Sequence, residues 1–245
     1  PPDSPFEAMQ VLQRSLGIER AVIVQATCHG TDNTAALDAI SRSEDRYKGV
    51  AIVDNSFTDD DFKRLDEGGI RGIRFSFARH IGNAPDFAMV RRITERVAPL
   101  GWHVVIYMEA PDIIENADTL ADLPLPVVID HMGRVKTEDG VGQEAFQLLL
   151  GLLRDKDDFW VKICGAERIS SGGAPYEDAV PFAQACIAAA PDRVLWGTDW
   201  PHPNIEGLMP NDGDLMNLLA LHAPDEAVRN RILVDNPARL YGFPD

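Results

Sequence analysis

The feature that most restricts this chain is a repeated change of period along it. Short runs rich in β-branched residues occur at Ala21–Gln25, Gly49–Asp54, Gly72–Phe77, Val104–Glu109, Pro126–His131, Phe159–Gly165 and Arg193–Asp199. Between them lie stretches with helical spacing, among them Phe87–Leu100, Gln143–Leu153 and Tyr176–Ala190. Strand, helix and strand in that order make a βαβ unit, and such units build a parallel sheet. The runs are almost continuously apolar, as strands covered on both faces must be. A chain of 245 residues matches one (β/α)8 barrel, which takes roughly 200–250 residues. The expectation is therefore a single α/β domain of the TIM-barrel type spanning residues 1–245.

Seven strand runs are one too few to close such a barrel. The chain opens on Pro1-Pro2-Asp3-Ser4-Pro5 and passes directly into a helical stretch at Phe6–Leu16. In a barrel of this kind a helix follows its own strand. The first strand is thus expected to be absent from this sequence, in an N-terminal segment ahead of it.

Charge narrows the partners. With 23 Lys and Arg against 39 Asp and Glu the formal charge is −16, which repels nucleic acid and acidic membranes. Neither is expected as a partner. Against that background a local gathering of arginines carries information. No run approaches the ~20 apolar residues of a membrane span and no signal-peptide pattern opens the chain, so a soluble, cytoplasmic protein is expected. Cys28, Cys164 and Cys186 are odd in number and follow no metal spacing, which indicates neither a disulfide framework nor a zinc site. Cys164 and Cys186 sit in apolar runs and read as small core residues.

In α/β barrels reactive groups stand at the C-terminal ends of strands and in the loops that follow. Those places hold Thr27, Cys28 and His29; Asp54; Arg74 with Phe75–Arg79 and His80; Tyr107 and Glu109; Asp130–Arg134; Gly165–Arg168; and Gly197–His202. Asp199, in Trp196-Gly197-Thr198-Asp199-Trp200-Pro201-His202, reads either as a general base or as a carboxylate capping the next loop. His131 reads as a satisfied structural histidine or as a group that polarises a carbonyl while Arg134 grips a carboxylate. Arg74, Arg79, Arg134 and Arg168 each read singly as surface ion pairs, and together as a cradle for a dianion. Arg71 belongs to a strand entrance and is expected to be solvated. Tyr107 is a donor to substrate or a rim aromatic. His29, His80, His103, His202 and His222 have weaker claims: His103 at a strand start, His222 in a surface helix, His202 beside Asp199.

These residues carry a resemblance. The stretches QATCHGTDN (Gln25–Asn33), GIRGIRF (Gly69–Phe75), VVIDHMGR (Val127–Arg134), WGTDWPHP (Trp196–Pro203) and DNPARLY (Asp235–Tyr241) are similar, in order and over nearly the whole chain, to the amidohydrolase superfamily. They resemble its branch of hydrolases related to 2-pyrone-4,6-dicarboxylate lactonase. The resemblance implies hydrolysis of a small dicarboxylate lactone in the catabolism of aromatic compounds. Asp199 would activate water, His131 would help polarise the carbonyl, and Arg74, Arg79, Arg134 and Arg168 would hold two carboxylates with Thr27 and Tyr107 assisting. The superfamily's His-x-His is lacking, as are its Lys or Glu and its second His at strand ends, places taken here by the region of Phe75–Phe77 and by Tyr107. Only His131 and Asp199 remain of the ligand set, where a catalytic zinc typically takes three. No metal and no other cofactor is expected. The competing readings are a sugar-lactone or other small-carboxylate hydrolase of the same branch, a metal-dependent decarboxylase of the superfamily, and a non-catalytic barrel that binds anions.

Overall fold

The computed structural model describes residues 3–78, 84–205 and 207–244. Its framework is seven parallel strands, β1 (Ala21–Val24), β2 (Tyr47–Ala51), β3 (Ile70–Ser76), β4 (His103–Tyr107), β5 (Val127–Ile129), β6 (Phe159–Lys162) and β7 (Val194–Leu195). They pair in sequence order, β1 to β7, so each connection returns the chain to the neighbouring position. Among the described residues β1 and β7 are not paired to each other. The sheet is a curled barrel one strand short of closure, as the strand count predicts.

Eleven helices accompany the strands among the described residues: α1 (Phe6–Leu16), α2 (Thr34–Ser41), α3 (Asp59–Glu67), α4 (Phe87–Val97), α5 (Ala110–Ala121), α6 (Glu144–Asp155), α7 (Ala166–Ile169), α8 (Val180–Ala189), α9 (Asp212–His222), α10 (Glu226–Asn230) and α11 (Asn236–Tyr241). Their starts follow local chemistry. Thr58 and Asp61 exchange side-chain and backbone bonds as a capping box on α3, and Asp86, Asn211 and Asp225 cap α4, α9 and α10. None of these helices is long and apolar enough to cross a membrane.

The strands divide the core in two. One set of alternating residues, including Ile73, Phe75, Val104, Ile106, Val127, Ile129 and Val161, packs outward with Phe62, Ile93, Phe146 and Leu149 of the helices. The other set, Val50, Val105, Val128, Trp160 and Leu195, forms a separate inner cluster with Tyr241 and Phe243 from the chain's end. Because side chains alternate along a strand, Tyr107 lies on the same face as Val105, and Lys162 on the same face as Trp160. The inner layer is apolar at its base and polar at the strands' C-terminal ends. At the base the His103 ring lies against β3 at Gly72, where a Cβ would come within 2.5 Å of it. His103 also meets the Tyr241 ring edge-on, with centroids 4.8 Å apart.

Several boundaries differ from the sequence reading. The strands end earlier than the apolar runs, and β7 keeps only two residues. His131, expected at a strand end, follows β5 in a turn at Asp130–Arg134, and Asp199 lies in the loop after β7. The helical stretch expected over Tyr176–Ala190 resolves into a 3-10 turn, Glu177–Ala179, followed by α8. Arg71 is not merely solvated, since it bonds the Asp66 carbonyl and carboxylate at 2.8 and 3.1 Å. His222 is buried, because the last turn of α9 faces inward, and burial pushes its imidazole down to about 4.

Candidate active site

The polar ends of the inner faces meet over the C-terminal rim. At the centre, Asp130 at the end of β5 lies between two cations. Its Oδ1 is 2.8 Å from Lys162 Nζ and its Oδ2 accepts from Arg74 Nε at 3.2 Å. The Asp130 side chain is 3% exposed and that of Lys162 11%. Burial alone would push the Asp130 carboxyl up, yet the charges of Lys162 and Arg74 outweigh it and hold the group below the usual carboxylate range. Burial likewise opposes charge on Lys162, and Asp130 reverses that effect and raises its affinity for a proton.

Directly after Asp130 the chain enters the left-handed region. His131, Met132, Gly133 and Arg134 have φ of 51, 51, 68 and 48°. Three non-glycine residues in this region carry strain of about 1–2 kcal/mol each. The turn aims His131 and Arg134 back over the rim. His131 Nε2 lies 3.7 Å from Asp199 Oδ1, and its Nδ1 is 3.6 Å from Cys164 Sγ. Burial pushes the Cys164 thiol up, so the sulfur keeps its proton and donates to Nδ1. Burial also pushes the His131 imidazole down, with the Asp199 and Asp130 charges pulling partly back. A neutral ring that accepts at Nδ1 carries its proton on Nε2, facing Asp199. Gly165 makes room for this ring: it sits at φ 80°, and a Cβ there would lie 2.5 Å from His131 Nδ1.

Asp199 also adopts a left-handed conformation, φ 60°, and its Oδ2 accepts from Arg168 Nε at 2.5 Å. Arg168, on α7, donates to the Pro203 carbonyl at 3.2 Å as well. Arg134 donates to the Tyr107 hydroxyl and has Glu109 4.0 Å from its Nε. Arg74 Cζ lies 4.9 Å from the centre of the Tyr107 ring, Arg134 Cζ 5.3 Å. The Tyr107 ring meets His131 edge-on at 5.7 Å. Arg74 also reaches the Thr27 hydroxyl at 3.4 Å. Beside Arg74 opens a cavity of about 280 Å³, lined by Thr27, Thr31, Asp54, Arg74, Ser76 and Met89.

Thus Asp199, His131, Arg74, Arg134, Arg168, Tyr107 and Thr27 share one rim, joined by direct contacts. Arg79 lies outside the described residues. Sequence reading missed Asp130, Lys162 and Glu167 as members of this layer and took Cys164 for plain core. The signal for Lys162 was a lysine two residues after Trp160 in an otherwise apolar strand, and so on the same face. Glu167 offered no signal, because its place depends on the loop after β7.

Family membership raises the matter of a metal. Among the described residues Glu167, Asp199 and His202 could each offer a ligand atom, all within 4.8 Å of one another. The arrangement does not fit an ion. The Arg168 guanidinium already faces both carboxylates, at 2.5 Å from Asp199 and 3.7 Å from Glu167, and its charge would oppose a second cation there.

Residues 1–243 match the family model described as amidohydrolase. The chain belongs to the amidohydrolase family. Within it, the chain is 43% identical to a 2-pyrone-4,6-dicarboxylate hydrolase of Comamonas testosteroni over 98% of its own length and 82% of the relative's. It is 45% identical to a 4-sulfomuconolactone hydrolase of Rhizobium radiobacter, covering 99% of this chain and 82% of the relative. A solved structure from Acinetobacter baumannii, a probable 2-pyrone-4,6-dicarboxylic acid hydrolase with citric acid bound, superposes with a TM-score of 0.85. It is 27% identical, with 99% of this chain and 92% of that chain covered. The chain is thus an amidohydrolase whose relatives include hydrolases of small lactones.

Proposed function

We propose that this amidohydrolase opens a small lactone bearing carboxylates, with 2-pyrone-4,6-dicarboxylate as the type substrate. The observation that carries the reading is the His131–Asp199 pair, 3.7 Å apart, ringed by the guanidinium groups of Arg74, Arg134 and Arg168. The relatives named for pyrone-dicarboxylate and sulfomuconolactone hydrolysis support it, as does the citrate held by the Acinetobacter neighbour.

In this mechanism Asp199 takes a proton from water as the oxygen attacks the ring carbonyl carbon. The carbonyl π-bond opens, and the negative charge that forms on its oxygen is met by the Nε2 proton of neutral His131. As the carbonyl re-forms, the ring C–O bond breaks, and Asp199 returns its proton to the departing ring oxygen. Arg74 and Arg134 hold the substrate carboxylates, aided by Thr27 and Tyr107, and they offset charge that an acidic protein would otherwise repel. Arg168 joins them by exchanging part of its hold on Asp199 for substrate. The reaction runs without a metal; the guanidinium that fills the acidic cluster supports that reading.

The test is to measure ring opening of 2-pyrone-4,6-dicarboxylate by the purified protein and its Asp199→Asn variant, before and after exhaustive chelation. Turnover that survives chelation is expected. The variant is expected to lose at least about a thousandfold in kcat, as removal of a positioned general base does, while still binding the lactone. A variant with near-normal kcat would end the assignment of the base, and activity restored by added zinc would end the metal-free reading.

A further inference from the structure

Among the described residues Glu167 is the carboxylate whose two oxygens are both buried with no hydrogen-bond partner. Its side chain is 2% exposed. An acidic group is desolvated in this way at a cost, and the neighbours show where its charge is directed. Glu167 Oε1 lies 3.7 Å from Arg168 Nε and equally 3.7 Å from His202 Nδ1. On its far side His202 Nε2 contacts Asp212 Oδ1, at the start of α9, at 3.1 Å. The result is a row of alternating groups, Asp199, Arg168, Glu167, His202 and Asp212, that begins at the proposed base and ends near the surface.

We propose that Glu167 is a positioning residue that shares the Arg168 guanidinium with Asp199 and so keeps Asp199 basic enough to take a proton from water. The inference rests on the lactonase reading of the Asp199 site. When Asp199 is ionised the row holds three anions against two cations, and proton uptake by Asp199 removes the excess. Arg168 then loses its partner, and Glu167 stands within a small rotation of the same Nε, with no competing bond to break. With a neutral residue in its place, the row would be balanced before Asp199 took the proton and positive afterwards. A like charge nearby raises a carboxyl's affinity for protons, and an uncontested guanidinium lowers it. Removing Glu167 therefore weakens the base by both routes.

The charged and titratable groups that face Glu167 are few. They are Arg168 on its own helix, Cys164 at the end of β6, Asp199 and His202 on the loop after β7, and Tyr176 ahead of α8. His202 is pushed down by burial, but Asp212 and Glu167 outweigh this and carry it up to about 9, so it faces Glu167 as a cation.

The experiment compares the pH dependence of kcat for 2-pyrone-4,6-dicarboxylate hydrolysis in the full chain and in Glu167→Gln. The acid limb is expected to move down by about one pH unit or more, with the plateau kcat falling about tenfold and KM changing less than about threefold. Glu167→Asp, which keeps the charge, should leave the limb near its original place. A limb that stays put in Glu167→Gln overturns the proposal. A second readout needs no turnover: the His202 ring, followed by NMR, should titrate at least about one unit lower in Glu167→Gln, and an unmoved ring also overturns it. If Glu167→Gln does not fold, Asp212→Asn at the row's outer end should lower both values by less, and no movement in either has the same consequence. Absence of lactone hydrolysis in the unaltered protein would defeat the functional reading, leaving the His202 titration to judge Glu167.

Discussion

Replacing Asp130 by Asn would leave the fold intact in outline and remove the only anion between Lys162 and Arg74. At an effective dielectric of about 20, the contacts at 2.8 and 3.2 Å correspond to gross attractions of about 6 and 5 kcal/mol. Most of that is offset by the cost of bringing three charges out of water. What decides the outcome is the group left behind, a lysine whose side chain is 11% exposed with its counter-charge gone. Breaking a buried pair from one side costs about 3–5 kcal/mol. For 245 residues the unfolding entropy is about 0.5 kcal/mol/K, so Tm should fall by about 6–10 °C. Lys162→Met should cost about half as much, because Asp130 keeps Arg74. The double variant should be more stable than the sum of the single changes allows, by about 2 kcal/mol. Urea unfolding of all four proteins, with the slope m held common, measures each quantity. An Asp130→Asn protein within about 0.5 kcal/mol of the unaltered one, or strict additivity, would refute the reasoning.

Two further outcomes follow from the same geometry. Buried His222 and His103 are pushed down to about 4 and about 3, so their contribution to stability is complete above the unfolded value of ~6.5 and is lost as pH falls towards 4. His202 acts in the opposite sense: raised to about 9, it contributes fully below ~6.5 and loses that contribution as pH rises through about 9. Thermal midpoints should thus peak between these limits, and a midpoint still climbing at pH 9.5 would contradict the His202 pairing. Gly165→Ala places a Cβ 2.5 Å from His131 Nδ1 at a φ of 80°; it should cost about 1–3 kcal/mol and lower kcat far more than it raises KM. A crystal structure of that variant with His131 undisplaced would count against the packing argument.

The alternation of strand and helix periods determined the parallel sheet, its order and its missing eighth position, because each period reflects a local backbone geometry that a sequence states directly. The same logic marked the rim, where apolar runs give way to Asp130–Arg134 and Trp196–Pro203. Only the tertiary structure decided who pairs with whom there. Lys162 reads as a stray charge until the barrel turns its side chain onto Asp130. Cys164 reads as core until the turn after β5 brings His131 within 3.6 Å of its sulfur. Arg168 and Asp199 lie 31 residues apart, on different connections, and their contact depends on left-handed turns that no local preference announces. Sequence records what each residue prefers over a few neighbours, whereas a buried charge is settled by what lies opposite it across the barrel.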